Sequence, residues 1–217
     1  ACIDKGVKRI VALSSDKASS PANLYGATKL VSDKLFVAGN SYTGSYETKF
    51  SVVRYGNVMG SRGSVIPYFY SLRNSGKMPI TDPKMTRFMI TLDQGIDLVF
   101  DAFADMLGGE IYIKKIPSMK IIDIAKAIDP NAKHEIIGIR PGEKLHEQMI
   151  GEDDAPHTYE YDDFYKILPA INDWHLDEKR INGGIKANKG FSYSSENNED
   201  WMSIDSLSDW VRENYSE

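Results

Sequence analysis

The chain has 217 residues, 41% hydrophobic and 26% charged, enough for a large single domain or for one core with an appended lobe. A formal net charge of −5 argues against a nucleic-acid partner, because proteins held by phosphate neutralisation present a basic face. The single cysteine, Cys2, excludes an internal disulfide and fits a reducing, cytoplasmic setting.

No apolar run reaches the roughly 18 residues that would span a bilayer, so no membrane partner is expected of this segment. The histidines, His134, His146, His157 and His175, have no metal-ligand spacing, and no metal is expected.

The opening residues, Ala1 to Gly6, resemble a helix end closed by glycine, so the chain is expected to be the C-terminal portion of a longer protein. Residues 7–13 form a strand whose second half is continuously apolar, as in a parallel strand covered on both faces. It delivers Ser14, Ser15, Asp16 and Lys17 at its carboxyl end, where open α/β sheets bind their ligands. A helix should open at Pro21 and carry Leu24, Ala27, Leu30, Val31, Leu35 and Val37 at helical spacing. The next strand, 50–55, runs into a glycine-rich turn from Gly56 to Ser64. Strand, helix and strand in this order make a right-handed βαβ unit, so the fold class is α/β with an at least partly parallel sheet.

Beyond Ser64 the elements become short and mixed. Helix is expected over 65–74, and strands over 79–81 and 86–90 around Asp82-Pro83-Lys84. Helix 92–106, strand 110–113, helix 119–128 and strand 134–139 follow, and a helix should run from the Arg140–Lys144 turn to Ile150. Residues 159–168 can pair as strands, 177–200 read as a surface segment, and 203–211 as a capped terminal helix.

Tyr25 and Lys29 stand one helical turn apart, with Cβ atoms about 5–6 Å from each other. A nearby ammonium favours the phenolate, which lets a tyrosine act as base. With 12 tyrosines in the chain, about one Tyr-x-x-x-Lys arises by composition alone, and a surface pair on an amphipathic helix is the plain alternative. Asp16 and Lys17 discriminate better. Moving a hydride and one hydroxyl proton needs only the tyrosine, whereas eliminating water needs a further base at a C–H and an acid for the departing hydroxyl. The plain alternative for this pair is a solvated loop ion pair.

Ser15, Tyr25 and Lys29 together resemble the Ser/Thr, Tyr and Lys constellation of the extended short-chain dehydrogenases/reductases. The blocks 13–18, 23–29, 51–65, 79–81, 85–88, 116–120 and 137–147 are collinear with the inverting UDP-N-acetylglucosamine 4,6-dehydratases that begin pseudaminic acid biosynthesis. That resemblance implies the C-terminal half of a Rossmann-like doubly wound parallel sheet with a smaller mixed α/β substrate-binding lobe. The implied domains are 1–64 for the NADP-binding part with the catalytic residues, 65–150 mainly for substrate, with some elements returning to the sheet, and 151–217 for an extension. It implies Lys17 as base at sugar C5, Asp16 as its partner in loss of the C6 hydroxyl, Tyr25 as base at the C4 hydroxyl, and Lys29 on the nicotinamide ribose. Ser15 stands where the family usually has Thr, and its hydroxyl is kept.

Val58, Met59, Gly60, Ser61 and Arg62 would pass near the nicotinamide. Asn57, Val65, Thr81, Arg87, Arg140 and Glu143 would bind the UDP-sugar, the arginines suiting a diphosphate and Glu143 ribose hydroxyls. NADP is the implied cofactor, with NAD open, and a homo-oligomer is implied. The alternatives are a related UDP-sugar dehydratase or 4-epimerase of capsule or O-antigen synthesis, and a non-catalytic truncated subunit.

The G-x-G-x-x-G fingerprint that admits a pyrophosphate to a helix N-terminus is not in these residues and is expected upstream of residue 1. The 217 residues alone should therefore bind NADP(H) poorly and lack turnover. Cofactor titration of this chain checks the point, and tight binding would refute it.

Overall fold

The computed structural model describes residues 1–215; Ser216 and Glu217, the end of the expected extension, lie outside the described residues. In chain order the elements are β1 (Arg9–Ser15), α1 (Leu24–Gly39), β2 (Lys49–Tyr55), β3 (Asn57–Val58), α2 (Val65–Leu72), β4 (Lys77–Ile80) and β5 (Thr86–Ile90). Next come α3 (Leu92–Asp105), β6 (Ile111–Lys114), β7 (Ser118–Lys120), α4 (Ile121–Ile128) and β8 (Lys133–Ile136). The last are β9 (Gln148–Ile150), β10 (Thr158–Glu160), β11 (Phe164–Ile167), α5 (Glu178–Ile181), β12 (Ile185–Lys186), β13 (Tyr193–Ser194) and α6 (Ile204–Asn214). Among the described residues no helix is long and apolar enough to cross a membrane.

The chain forms two compact units. The first comprises Ala1–Tyr55, Asp93–Lys115 and Gln148–Tyr193; the second comprises Gly56–Leu92, Ile116–Glu147 and the chain from Ser194. The contiguous boundaries 1–64, 65–150 and 151–217 differ from this division. The sheet begun by β1 and β2 is completed by strands from later in the chain, so the chain leaves the first unit and returns to it twice.

The first unit is built on a six-stranded sheet ordered β1-β2-β6-β11-β10-β12. β1, β2 and β6 are parallel, and β11, β10 and β12 extend the sheet in antiparallel fashion. Side chains alternate across a strand. Phe50 meets Phe36 of α1, and Arg54 meets Asp33 of the same helix. Val53 on the other face joins Leu98 and Ala102 of α3 in a buried cluster. The two helices thus cover opposite faces, which makes this part doubly wound.

The second unit holds a three-stranded sheet β3-β5-β7 and a parallel pair β4-β8. Its core is rich in methionine: Met59, Met78, Met85, Met89 and Met119 are buried with Ile66, Phe69, Ile80 and Ile124.

Several boundaries differ from expectation for identifiable reasons. α1 begins at Leu24 rather than Pro21, because the Asn23 side chain caps the helix by accepting from the Gly26 N–H. Its apolar positions are not all inward: Leu24, Val31 and Leu35 are exposed. Met119 and Lys120, expected as helix, pair with β5 as part of antiparallel strand β7, and α4 starts only at Ile121. The helix expected through Ile150 does not form. The Leu145 carbonyl accepts from Thr86 N–H, and Arg87 takes the carbonyls of Lys144 and Leu145, which removes acceptors from a helical ladder. The segment 177–200 is not only surface: it supplies α5, strand β12 and the buried Tyr193 and Ser195.

Charged pairs hold the extended part of the first unit. Lys166, 1% exposed, donates to Asp105 at 2.6 Å, and Arg180 donates to the buried Glu110 at 2.9 Å. Burial alone would raise the Asp105 carboxyl, but hydrogen bonds from Lys166, Tyr112 and Asn182, with the Lys166 charge, hold it below its ordinary 3.8. A carboxyl lowered by folding contributes stability that is fully present above its unfolded value and is lost as pH falls through the folded value. Asp105→Asn leaves Lys166 buried without its counter-charge. It should lower stability at neutral pH by about 3 kcal/mol and flatten the acid limb, as measured by denaturant unfolding across pH.

Candidate active site

The first cluster grows from the carboxyl end of β1. In the parallel register Ser14 lies opposite Arg54, and Ser15 opposite Tyr55. The chain leaves the strand through one turn of 3-10 helix, Asp16–Ala18, capped by Ser15, whose Oγ accepts from the Lys17 N–H at 3.2 Å. Asp16 has 0% exposure. Its Oδ1 accepts from Ser15 Oγ at 2.8 Å and from Lys17 Nζ at 3.0 Å, while its buried Oδ2 has no hydrogen-bond partner among the described residues. Burying a carboxylate is costly unless it is paired, and Ser15 and Lys17 supply that pairing at Oδ1. The Lys17 side chain is 34% exposed, so its ammonium reaches solvent while touching the buried carboxylate. A solvated loop ion pair does not match this burial.

The second contribution comes from α1. Tyr25 is 54% exposed in the first turn, and Lys29 Nζ donates to the Leu13 carbonyl at 3.1 Å. That bond brings the ammonium to the last residues of β1, with Tyr25 one turn before it on the same helix. The glycine after Tyr25 is required by distance: a Cβ on Gly26 would stand 2.4 Å from the Lys17 carbonyl oxygen. The first turn of α1 therefore backs directly onto the Asp16–Lys17 turn. Burial, with the neighbouring Tyr25 phenol, pushes the Tyr55 hydroxyl above its ordinary value, so Tyr55 stays a neutral phenol.

The second unit contains a cavity of 740 Å³. Asn57, Val65, Thr81, Arg87, Arg140 and Glu143, singled out from sequence, all line it, and so do Ser64, Tyr68, Phe69 and Ile137, which were not. Asn57 Oδ1 and Ser64 Oγ are buried there with no hydrogen-bond partner among the described residues. The two arginines differ. Arg87 is 9% exposed and donates to the carbonyls of Thr86, Lys144 and Leu145 at 2.7, 3.1 and 3.2 Å. It thus clamps the backbone beside the cavity. The Arg140 side chain is 67% exposed, 3.8 Å from Glu143, whose Oε2 accepts the Arg140 N–H. Arg140 therefore presents its guanidinium outward.

None of residues 58–62 lines the cavity. Val58 pairs with Ile90, Met59 lies in the core, and Gly60 sits under Trp210, where a Cβ would approach the ring to 2.8 Å. Ser61 and Arg62 are exposed. Ser14, placed at the strand end from sequence but given no role, has its Oγ buried without a hydrogen-bond partner among the described residues, one residue before Ser15. Its only signal in the sequence is that adjacency.

The doubly wound sheet, with Ser15 at the end of β1 and Tyr25 and Lys29 one turn apart on α1, is that of an extended short-chain dehydrogenase/reductase. The chain belongs to the polysaccharide biosynthesis protein family, whose model matches residues 1–169. It is 54% identical over 219 residues to the UDP-N-acetylglucosamine 4,6-dehydratase (inverting) of Campylobacter jejuni (strain 81-176), covering 97% of this chain and 65% of that protein. A UDP-glucose 4-epimerase of Rickettsia rickettsii is 38% identical over 202 residues, covering 91% of this chain and 59% of the epimerase. The X-ray structure of Pen from Bacillus thuringiensis matches with TM-score 0.83 and 35% identity, covering 98% of this chain and 64% of that one. The chain thus spans less than two thirds of the length of these relatives.

Gly26→Ala in the full-length protein should push the Lys17 carbonyl aside or tilt α1. Turnover should fall on the order of 10²-fold while circular dichroism keeps its shape, since ångström displacements at a reacting centre have that effect.

Proposed function

We propose that this chain carries the catalytic residues of an NADP-dependent hydro-lyase that converts UDP-N-acetylglucosamine to a UDP-4-keto-6-deoxy-N-acetylhexosamine with inversion at C5. The observation that carries the proposal is the wholly buried Asp16 held 3.0 Å from Lys17 beside the Tyr25–Lys29 helix face. It stands in a chain 54% identical to a protein named as such a dehydratase.

The residues divide the work by chemistry. Tyr25 takes the proton from the C4 hydroxyl, with Lys29 supplying positive charge one turn away. Oxidation at C4 acidifies the C5 proton, which Lys17 removes. Asp16 shares the proton with Lys17 and returns one to the departing C6 hydroxyl, so water leaves. A donor on the other face of the ring then reprotonates C5 as C6 takes up the hydride that C4 gave, which yields the 6-deoxy carbon and the inversion. Lys29 fits a nicotinamide ribose: one of its three N–H donors goes to the Leu13 carbonyl, leaving two for hydroxyls. When bound, the cofactor supplies reversible hydride acceptance, so none is consumed. NADP is proposed over NAD by resemblance alone.

In the second unit, Asn57 and Ser64 are the proposed polar contacts for the UDP-sugar, with Val65 and Thr81 in the same lining. Arg140 is the proposed diphosphate ligand, with Glu143 and Arg87 shaping its surroundings. A cytoplasmic homo-oligomer in pseudaminic-acid-type polysaccharide synthesis completes the proposal; the exposed Leu24, Val31 and Leu35 on α1 and Phe100 on α3 support assembly. The isolated 217 residues are proposed to be inactive. A 4-epimerase is the second possibility, and the Asp16–Lys17 pair disfavours it because epimerisation breaks no C5–H bond.

Incubation of the full-length protein with UDP-N-acetylglucosamine in D2O, followed by NMR, is expected to give a 4-keto-6-deoxy product of inverted configuration with deuterium at C5. An intact C6 hydroxyl would overturn the proposal. Lys17→Ala should keep cofactor affinity and lose C5 deuteration.

A further inference from the structure

Tyr25, Lys29 and Asp33 follow one another at four-residue steps, so they share one face of α1, with Asp33 about 12 Å along the axis from Tyr25. The proposed chemistry uses the first two. Asp33 has 0% exposure and Arg54 3%, and Arg54 donates to Asp33 Oδ2 at 2.9 Å. The other arm of the same guanidinium donates to the Met149 carbonyl at 2.5 Å and lies 3.8 Å from Asp154. Arg54 is in register with Ser14, one residue before the Ser15–Tyr55 pair. The segment it grips also reaches the catalytic turn, since Ser20 Oγ donates to Gln148 at 3.0 Å.

We infer that the Asp33–Arg54 pair consists of positioning residues that set the height of α1, and so the place of Tyr25 and Lys29, against the end of β1. The inference rests on the reaction proposed above. A buried ion pair is a weak source of net stability, because desolvation offsets attraction and a packed apolar pair does as well. What it supplies here is direction. A planar guanidinium fixes two acceptors at set angles, one on the catalytic helix and one on the segment behind the catalytic turn. Apolar contact, such as Phe36 on Phe50, permits sliding, and α1 leaves Leu24, Val31 and Leu35 in solvent. Of the other polar ties, Lys29 grips a single carbonyl, and the C-cap Asn40 is bonded to the Phe50 backbone only at the far end of the helix from Tyr25.

The test uses the full-length protein and UDP-N-acetylglucosamine carrying deuterium at C4. Arg54→Lys retains the charge and loses the fork; Asp33→Asn retains the shape and loses the charge. In both, kcat should fall about tenfold or more, with KM and cofactor Kd within about threefold. The isotope effect on kcat should rise, because misplacing Tyr25 and Lys29 slows the C4 oxidation step specifically. A loss of folded molecules lowers kcat without moving the isotope effect, so an unchanged isotope effect overturns the inference, as does an unchanged kcat. Should either variant fail to fold, Asp33→Glu keeps both charges, lengthens one arm by a methylene, and must raise the isotope effect in the same way or the inference falls. A full-length protein that turns over no UDP-sugar removes the proposed function and this inference together; an active one with unaltered isotope effects removes only the latter.

Discussion

A carboxylate with no access to water must find its counter-charge nearby, and Asp16 finds it within one residue on either side. Ser15 Oγ and Lys17 Nζ both reach Oδ1, which fixes the turn leaving β1. The turn in turn fixes the helix: Ala18 and Ser19 are buried beneath it, and Gly26 lets α1 approach the Lys17 carbonyl more closely than any side-chain-bearing residue would allow. The parallel pairing of β1 with β2 brings Arg54 level with Ser14. The active-site geometry of the first unit therefore follows from burying one charge at a strand end.

The two units reach stability by different means. In the first, the antiparallel strands beyond β6 are tied by buried charges, Lys166 with Asp105 and Arg180 with Glu110, and Glu110 also takes the N–H groups of Leu107 and Gly108. Such groups pair strictly because an unmatched one is expensive, so they specify which segments meet. In the second unit methionine and isoleucine fill the core, and adaptable side chains suit a region where short strands and helices meet at irregular angles. Beside that core, Arg87 binds the carbonyls of Lys144 and Leu145 and pairs with Glu147, which holds that segment out of helix.

The chemistry distinguishes relatives that the fold does not. A protein named 4-epimerase and one named 4,6-dehydratase both resemble this chain over more than nine tenths of its length. Elimination adds one requirement, a base and an acid at adjacent carbons, and an amine touching a buried carboxylate is a compact way to meet it. The greater identity to the named dehydratase runs in the same direction as that requirement.

Local pattern was enough for much of this. The strand before Ser15, the helix bearing Tyr25 and Lys29, the strand before Asn57 and the terminal helix capped by Ser203 were legible, because apolar periodicity and capping residues act within a few positions. So were six residues of the second unit's cavity lining, through collinear family blocks. Met119 and Lys120 were not: their helical pattern yields to pairing with β5, a partner more than 30 residues away in sequence. Nor were residues 144–147, where Thr86 and Arg87 take the Lys144 and Leu145 carbonyls and Ser195 takes that of Glu147. Asp16 could be named from sequence but not its complete burial, and Asp33 showed only its spacing from Lys29 until Arg54 was seen to meet it. The sequence by itself determined which chemical groups stand at the end of β1. Tertiary structure alone decided which are buried, which are paired and which face outward, because solvent exclusion and long-range hydrogen bonds depend on segments that sequence order keeps apart.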